Sequence, residues 1–224
     1  MDLMTTIRRK FLSVPDVIEA NKIPVGSESP KGIIYQIKSQ VSDILSYVKP
    51  SYKGELNGFD INAIVRWSSM TQVIGKGDYL QVKLEHGYVY PTYYSIKGYQ
   101  NSCFAKEWYL YGLNEENGEE TLLSENKSAG STFCGTAESC DSNNWATFSI
   151  NPVQKVFKYF RMKCKTSSNN AYKVLMLGGF ELYGVYSIDG RTSAKLKENI
   201  AKFTCCCIAK FTFYSLLRFT IYIS

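Results

Sequence analysis

The chain has 224 residues, of which 45% are hydrophobic and 21% are charged. This length accommodates one packed domain with appendages, and the apolar content excludes wholesale disorder. The single histidine, His86, excludes a multi-histidine zinc site and any chemistry that needs two imidazoles. Of the net charge of +6, residues 187–224 carry +4 and the remainder of the chain only +2, so a nucleic-acid-binding surface is not expected.

Residues 1–22 contain no uninterrupted apolar stretch after their basic residues and no small-residue cleavage pattern. We therefore expect no secretory signal peptide and a cytoplasmic location. The cysteines are then better interpreted as thiols than as a disulfide framework, because Cys103, Cys134, Cys140 and Cys164 include no Cys-x-x-Cys pair. Neither a metal site nor a cofactor is predicted.

The basic hydrophobic tail, residues 187–224, ends in a run at 203–224 that is long enough to cross a bilayer. Lys210 and Arg218 lie within this run, and each costs roughly 2.5–3.5 kcal/mol near the middle of a membrane helix. Three interpretations stay open: a weak tail anchor, an additional hydrophobic strand or helix, and an extension from an altered reading frame. Membrane contact through the tail is the weaker expectation, because the last two interpretations together outweigh the anchor.

Residues 1–50 are predicted to form a partly helical N-terminal segment. A short helix is expected at 14–21, followed by a break rich in Pro, Gly and Ser at 23–32. Apolar residues then recur every three to four positions over 33–48, which indicates an amphipathic helix. A first strand at 32–38 is the alternative.

From residue 59 the pattern changes to short strands separated by turn residues. The expected strands are 61–67, 79–84, 92–97, 108–113, 146–150, 157–165 and 174–183. Turns are expected at 75–78 and around Asn117 and Gly118. So many strands without helical crossovers predict an antiparallel β-sandwich or barrel.

Large apolar side chains within these strands supply the expected core. Trp67 and Trp108 both lie in strand patterns, where a large ring anchors a sandwich. In the strand at 157–165 the inward set is expected to be Phe160, Met162 and Cys164, with Lys163 and Lys165 facing solvent.

The chain carries no motif of nucleotide binding, zinc proteolysis or serine hydrolysis. His86 follows a predicted strand and is interpreted as a surface turn residue rather than a catalytic base, and the spacing gives no support to a dyad with Cys103. The acidic run at 115–120 is interpreted as solvated residues flanking a turn rather than a calcium loop. We therefore predict that the chain is not an enzyme.

Trp145 closes the polar stretch 124–144, which is too long for a simple hairpin. Long loops at the ends of a sandwich are where ligands usually bind. Together with Asp141, Asn143 and Asn144, Trp145 offers an apolar face and polar groups suited to a sugar. The alternative, given equal weight, is that Trp145 begins the next strand and points inward.

The strand motifs follow a definite order. They are Tyr-Tyr-Ser-Ile-Lys at 93–97, Glu-Trp-Tyr-Leu-Tyr-Gly-Leu-Asn at 107–114, Thr-Phe-Ser-Ile at 147–150, Lys-Tyr-Phe-Arg-Met-Lys at 158–163 and Leu-Met-Leu-Gly-Gly-Phe-Glu-Leu-Tyr-Gly at 175–184. This order resembles the discoidin, or coagulation factor V/VIII type C, domain of the galactose-binding-like superfamily over residues 51–186. The chain departs from the family pattern at Leu113, where Ser is usual, and lacks the Trp that often follows the Asn-x-Gly turn.

The resemblance implies an all-β fold, an eight-stranded jelly-roll β-sandwich whose loops at one end bind ligand. It implies structural roles for Trp108, Arg161, Phe180 and Glu181, and Arg161 is expected to pair with an acidic group or strand-end carbonyls. The implied function is a non-catalytic recognition module for a protein partner or a carbohydrate. The alternatives are a peripheral phospholipid-binding module and an accessory domain of a carbohydrate-active system.

Overall fold

The computed structural model describes residues 17–20, 30–56, 59–68, 71–98, 105–127, 139–140, 145–167 and 174–188. The described residues form eleven strands in two antiparallel sheets, together with two short α-helices. The predicted all-β sandwich is therefore confirmed. The tail predicted at 187–224 lies, from residue 189 onward, outside the described residues.

The elements follow one another in a simple chain order. The strands are β1 (Val17–Ala20), β2 (Val48–Glu55), β3 (Thr71–Leu84), β4 (Tyr88–Lys97), β5 (Ala105–Leu113), β6 (Thr121–Lys127), β7 (Ser139–Cys140), β8 (Trp145–Ser149), β9 (Tyr159–Ser167), β10 (Val174–Leu177) and β11 (Gly179–Ser187). The helices are α1 (Ile33–Lys38) and α2 (Ala63–Arg66), and a single 3-10 turn at Ile44–Ser46 leads into β2. None of the described helices has the length and apolar character of a membrane span.

The first sheet has the strand order β1-β11-β4-β8-β7, and the second has the order β10-β3-β9-β5-β6 with β2 paired to β3. The core lies between the sheets, where Trp108, Phe160 and Phe180 are almost fully buried. All nine residues of β11 are buried, because β1 and β4 pair with it and both helices pack against it. Strand β11 is therefore the strand against which both helices pack.

A β-bulge in β11 requires glycine. The pairing of β11 with β4 shifts register between Tyr183 and Gly184, and Gly184 has φ +130°. A Cβ atom at this position would collide with the carbonyl oxygen of Tyr90. Glycine is the residue that adopts this backbone conformation without a steric penalty.

Two predicted elements in the first third of the sandwich are wrong. The predicted helix at 14–21 contains strand β1, which pairs with β11 and alternates exposed with buried residues. The predicted strand at 61–67 contains helix α2, in which the consecutive residues Ala63, Ile64 and Val65 are all buried. Apolar runs this short fit both the helical and the strand periodicity, so tertiary packing decides which element forms.

The two predicted turns have different outcomes. The turn at 75–78 is wrong, since these residues continue β3 and the register of β2 against β3 shifts opposite them. The turn around Asn117 and Gly118 is confirmed, because Gly118 N donates to Glu115 O at 3.1 Å between β5 and β6.

The remaining predicted strands are confirmed, with the segment at 174–183 divided into β10 and β11. The predicted inward residues of β9 are buried: Phe160, Met162 and Cys164. Of the predicted amphipathic helix, the first turns form α1, and the alternative strand at 32–38 is absent from the described structure. Pairing of β1 with β11 means that the first sheet includes residues from before position 51.

Candidate functional site

Trp67 ends helix α2 in a left-handed backbone conformation, with φ 58° and ψ 30°. Among the described residues it is the only non-glycine residue with positive φ. For a large aromatic residue this conformation costs on the order of 1–2 kcal/mol and persists only where neighbouring contacts hold it. Such strain is typical of positions that serve a function rather than the core.

Three contacts hold the Trp67 ring in place. Its Nε1–H donates to the carbonyl oxygen of Phe180 at 3.3 Å. Its ring meets that of Trp145 edge to face, with centroids 5.1 Å apart. Gly179 lies against both indoles, and a Cβ atom there would collide with Trp145 and press on Trp67. The glycine thus allows the two tryptophans to approach the start of β11 closely.

The ring of Tyr35 lies parallel to that of Trp67, with an interplanar angle of 14° and centroids 6.0 Å apart. Tyr35 is on the outward side of α1 and is 36% exposed, whereas Ile33, Ile34 and Ile37 of the same helix are buried. Trp67 itself is half-buried. We refer to Tyr35 and Trp67 together as the aromatic platform.

A buried carboxyl group fixes the helix that carries Tyr35. Glu181 Oε1 accepts hydrogen bonds from the backbone N–H of Ile34 at 2.7 Å and of Leu182 at 2.8 Å. Its Oε2 accepts from the backbone N–H of Tyr35 at 2.9 Å. Burial raises the pKa of Glu181 to about 8, although these backbone donors act in the opposite direction. Phe180 and Glu181 of β11 therefore hold the two platform residues with their rings stacked.

Lys38 and Arg66 lie at the border of the platform. The Nζ atom of Lys38 is 4.9 Å from the Trp67 ring centroid and donates to the backbone carbonyl of Arg66 at 2.6 Å. Burial lowers the pKa of Lys38 below its usual 10.5, while attraction to Glu181 opposes this change. The Arg66 side chain is exposed and directly precedes Trp67 in the chain. The platform thus combines flat apolar rings with positive charge.

Of the three tryptophans, Trp67 alone lies in an environment that the sequence did not predict. Trp145 begins β8, is only 5% exposed and points inward, as the alternative interpretation expected. Trp67, expected in the core, is half-buried at the surface, whereas Trp108 is in the core as predicted. Asp141, Asn143 and Asn144 lie outside the described residues, so the sugar site built on them with Trp145 stays a prediction.

His86 lies exposed in the turn between β3 and β4, as the sequence predicted. Its ring contacts Tyr47 edge to face, with centroids 5.4 Å apart. Its hypothetical partner Cys103 lies outside the described residues. Within the described part of the chain, no group of three His, Cys, Asp or Glu side chains is arranged to hold a metal ion.

Arg161 forms the pairings expected of it. Its Nη1 donates to Glu120 Oε1 at 2.7 Å, its Nη2 to the backbone carbonyl of Glu116 at 2.5 Å and its Nε to Gln81 Oε1 at 2.9 Å. Lys163 Nζ donates to the other oxygen of Glu120 at 2.7 Å. Glu120 is therefore part of a structural ion-pair network, and the interpretation of the whole acidic run as solvated residues is wrong at this position.

A small open cavity of about 220 Å³ lies beside the turn between β5 and β6. Its lining includes Asn114, Glu115, Thr121, Lys155 and Phe157. Ligand pockets for small molecules usually have volumes of about 300–1,000 Å³. The aromatic platform is the better candidate site, since strain, burial and hydrogen bonding all converge on it.

Comparison with families and curated proteins gave no match to a family model and none to a curated protein. Among solved structures, the chain is similar to the CBM32 of AlyQ in complex with 4,5-unsaturated mannuronic acid, at 14% identity and a TM-score of 0.45, covering 61% of this chain and 95% of that one. It is also similar to the family 32 CBM of NanJ from Clostridium perfringens in complex with galactose, at 14% identity and a TM-score of 0.44, covering 63% and 95%. A third similar structure contains the CBM32-1 and CBM32-2 domains of ZmpB from the same organism, at 18% identity and a TM-score of 0.47, covering 62% and 35%. At these TM-scores the superpositions assign neither a family nor a ligand to this chain.

Proposed function

We propose that this chain is a non-catalytic carbohydrate-binding module that contacts its ligand through the aromatic platform. The observation that carries the proposal is the left-handed Trp67, whose ring is held parallel to the exposed ring of Tyr35. Sugar rings present a flat C–H face and a rim of hydroxyls. An amphipathic aromatic surface bordered by hydrogen-bond donors is suited to both features.

The platform is preorganised, which favours binding. Helix α1 is tied to β11 through Glu181, and Trp67 is tied to it through Phe180 and supported by Trp145. Little rotamer freedom is left for a ligand to remove, so the entropic cost of ordering the site on binding is small.

A closer relationship to the discoidin domain is part of the same proposal, supported by the order of the five strand motifs and the two-sheet fold. An accessory role beside a carbohydrate-active enzyme fits a module of this kind. A protein partner, membrane contact through residues 187–224 and a cytoplasmic location stay predictions from the sequence.

A glycan array probed with the full-length chain tests the proposal. We expect reproducible binding to at least one glycan, loss of that binding in Trp67→Ala and weakening in Tyr35→Ala. The matched control is Tyr109→Ala, because Tyr109 is a half-exposed tyrosine on the outer face of β5. A blank array, or binding by Trp67→Ala equal to that of the unaltered chain, would overturn the proposal.

A further inference from the structure

Two cations lie next to the aromatic rings of the platform. Elsewhere five described cations pair with a glutamate within 4.0 Å, namely Lys49, Lys83, Arg161, Lys163 and Lys165, whereas other described lysines, such as Lys53 and Lys106, form no ion pair with a described carboxylate. The position of Lys38 and Arg66 beside the platform is what sets them apart. Lys38 and Arg66 form no ion pair with a carboxylate of the described residues. Two positive charges therefore lie beside the platform without a described counter-charge in contact.

The neighbouring carboxyl group of Glu181 forms no ion pair with Lys38 or Arg66. It is fully buried beneath α1, and its oxygens accept backbone N–H groups of Ile34, Tyr35 and Leu182. Lys38 instead donates to a backbone carbonyl. An ammonium carries three N–H donors, so donors remain on Lys38 after this bond is made.

Arg66 is placed to bind an anion beside the platform. Its side chain is exposed, and its backbone carbonyl is held by Lys38, which also lies over the Trp67 ring. A guanidinium presents parallel N–H donors that match the two oxygens of a carboxylate and also fit a sulfate. An anionic group on a sugar that stacks on Trp67 would lie within the region bordered by these two cations.

Resting on the carbohydrate-binding function proposed above, we infer that the ligand is an acidic glycan. The sugar ring stacks on Trp67 and Tyr35, and its carboxylate or sulfate binds Arg66 with support from Lys38. Hydrogen bonds between charged partners are roughly twice as strong as those between neutral partners, so a preference of about tenfold in Kd over a neutral sugar is expected. Because the site is at the surface, the preference weakens as salt is added.

The test compares matched acidic and neutral probes on the full-length chain by calorimetric titration. The probes are tetrasaccharides of galacturonate, glucuronate and mannuronate, each beside its carboxyl-reduced form, and galactose 6-sulfate beside galactose. We expect at least one acidic probe to bind about tenfold more tightly than its neutral counterpart at low ionic strength. Arg66→Gln is expected to remove this preference, so that an acidic probe and its neutral counterpart bind the variant with similar Kd values.

Lys155→Gln is the matched control, because Lys155 lies between β8 and β9, at the other end of β8 from Trp145. It should keep the full preference, and thermal unfolding should show that both variants are folded. Equal binding of acidic and neutral probes overturns the acidic ligand, and a preference that survives Arg66→Gln overturns its placement at Arg66; both results leave the carbohydrate-binding function standing. If no probe of either class binds although the glycan array shows binding to a neutral glycan, the acidic ligand alone is overturned, whereas a blank array overturns both.

Discussion

The indole of Trp67 meets the indole of Trp145 edge to face, with ring centroids 5.1 Å apart and an interplanar angle of 76°. The buried tryptophan of β8 thereby supports the half-buried tryptophan that ends α2. Aromatic pairs in this geometry contribute roughly 0.5–1.5 kcal/mol beyond the burial of their surface. The two rings therefore have different roles: Trp145 is part of the packed fold, and Trp67 lies at the surface.

Removal of each ring is expected to affect stability differently. Trp145→Ala creates a cavity in a packed region and should lower the free energy of unfolding by about 3–5 kcal/mol. Trp67→Ala removes a ring that is already partly in water, so its cost should be clearly smaller. Urea denaturation of both variants measures the difference, and equal losses would contradict the division of roles.

The backbone strain at Trp67 predicts an unusual order of two substitutions. Glycine adopts the left-handed conformation freely and alanine does not, so Trp67→Gly should be more stable than Trp67→Ala by about 1 kcal/mol. At Tyr109, within strand β5, the order should reverse because glycine weakens a strand interior. Thermal or urea unfolding of the four variants decides, and the same order at both positions would argue against strain at Trp67.

Glu181 predicts a pH dependence of stability. Burial raises its pKa from 4.5 to about 8, so the native state holds a proton that the unfolded chain has already lost in this range. The free energy of unfolding should therefore fall as the pH rises from 4.5 towards 8, by at most about 1.4 kcal/mol per pH unit, and this contribution should be constant above pH 8.

Glu181→Gln is the control for this dependence, because the amide keeps the size of the side chain and does not titrate. The variant should lose the slope between pH 4.5 and 8. It should also increase collisional quenching of tryptophan fluorescence, since a Gln amide nitrogen cannot accept from the N–H groups that fix α1. If the free energy of unfolding of the variant still falls between pH 4.5 and 8, a group other than Glu181 causes the pH dependence.

Glu120 predicts the opposite sign in a lower pH range. Burial acts to raise its pKa, but hydrogen bonds and charge attraction from Lys163 and Arg161 outweigh burial and hold the pKa below 4.5. Its stabilising contribution is complete above pH 4.5 and is lost as the pH falls through the lowered pKa. Because Glu120 is partly exposed, the loss should be about 1 kcal/mol or less.

Acid unfolding of Glu120→Gln beside Glu119→Gln measures this contribution. Glu119 is an exposed neighbour in the same turn, so its replacement should leave the acid transition unchanged. Replacement of Glu120 should reduce stability at neutral pH and flatten the profile below pH 4.5. If both variants show the same acid profile, Glu120 does not contribute to stability in the way proposed here.

The sequence predicts the sandwich well where a strand has one face in the core. In β3 the predicted inward residues Leu80, Val82 and Leu84 are buried, and so are Phe160 and Met162 in β9. The prediction fails for two short apolar runs whose structure depends on β11. Residues 17–20 form strand β1 because they pair with β11, and residues 63–66 form helix α2, which packs against β11. Those outcomes depend on partners that are distant in sequence.

The site is less predictable than the fold. The position of Trp67 depends on a left-handed residue after a single helical turn, and no local pattern in the sequence signals it. Tyr35 is different, since the spacing of Ile33, Ile34 and Ile37 already leaves it on the outer side of the predicted helix. The link between the two rings runs through Phe180 and Glu181, more than 100 residues away along the chain.

The most direct test of a carbohydrate ligand at the aromatic platform is a nuclear magnetic resonance titration of the indole Nε1–H signals. The chain has three tryptophans and therefore three such signals, from Trp67, Trp108 and Trp145, which single substitutions assign. Titration with the uronate tetrasaccharides and with galactose 6-sulfate should shift the Trp67 signal most, with a smaller change at Trp145 and none at the buried Trp108. Binding of any of these sugars that leaves the Trp67 signal unmoved would contradict a carbohydrate site at the aromatic platform.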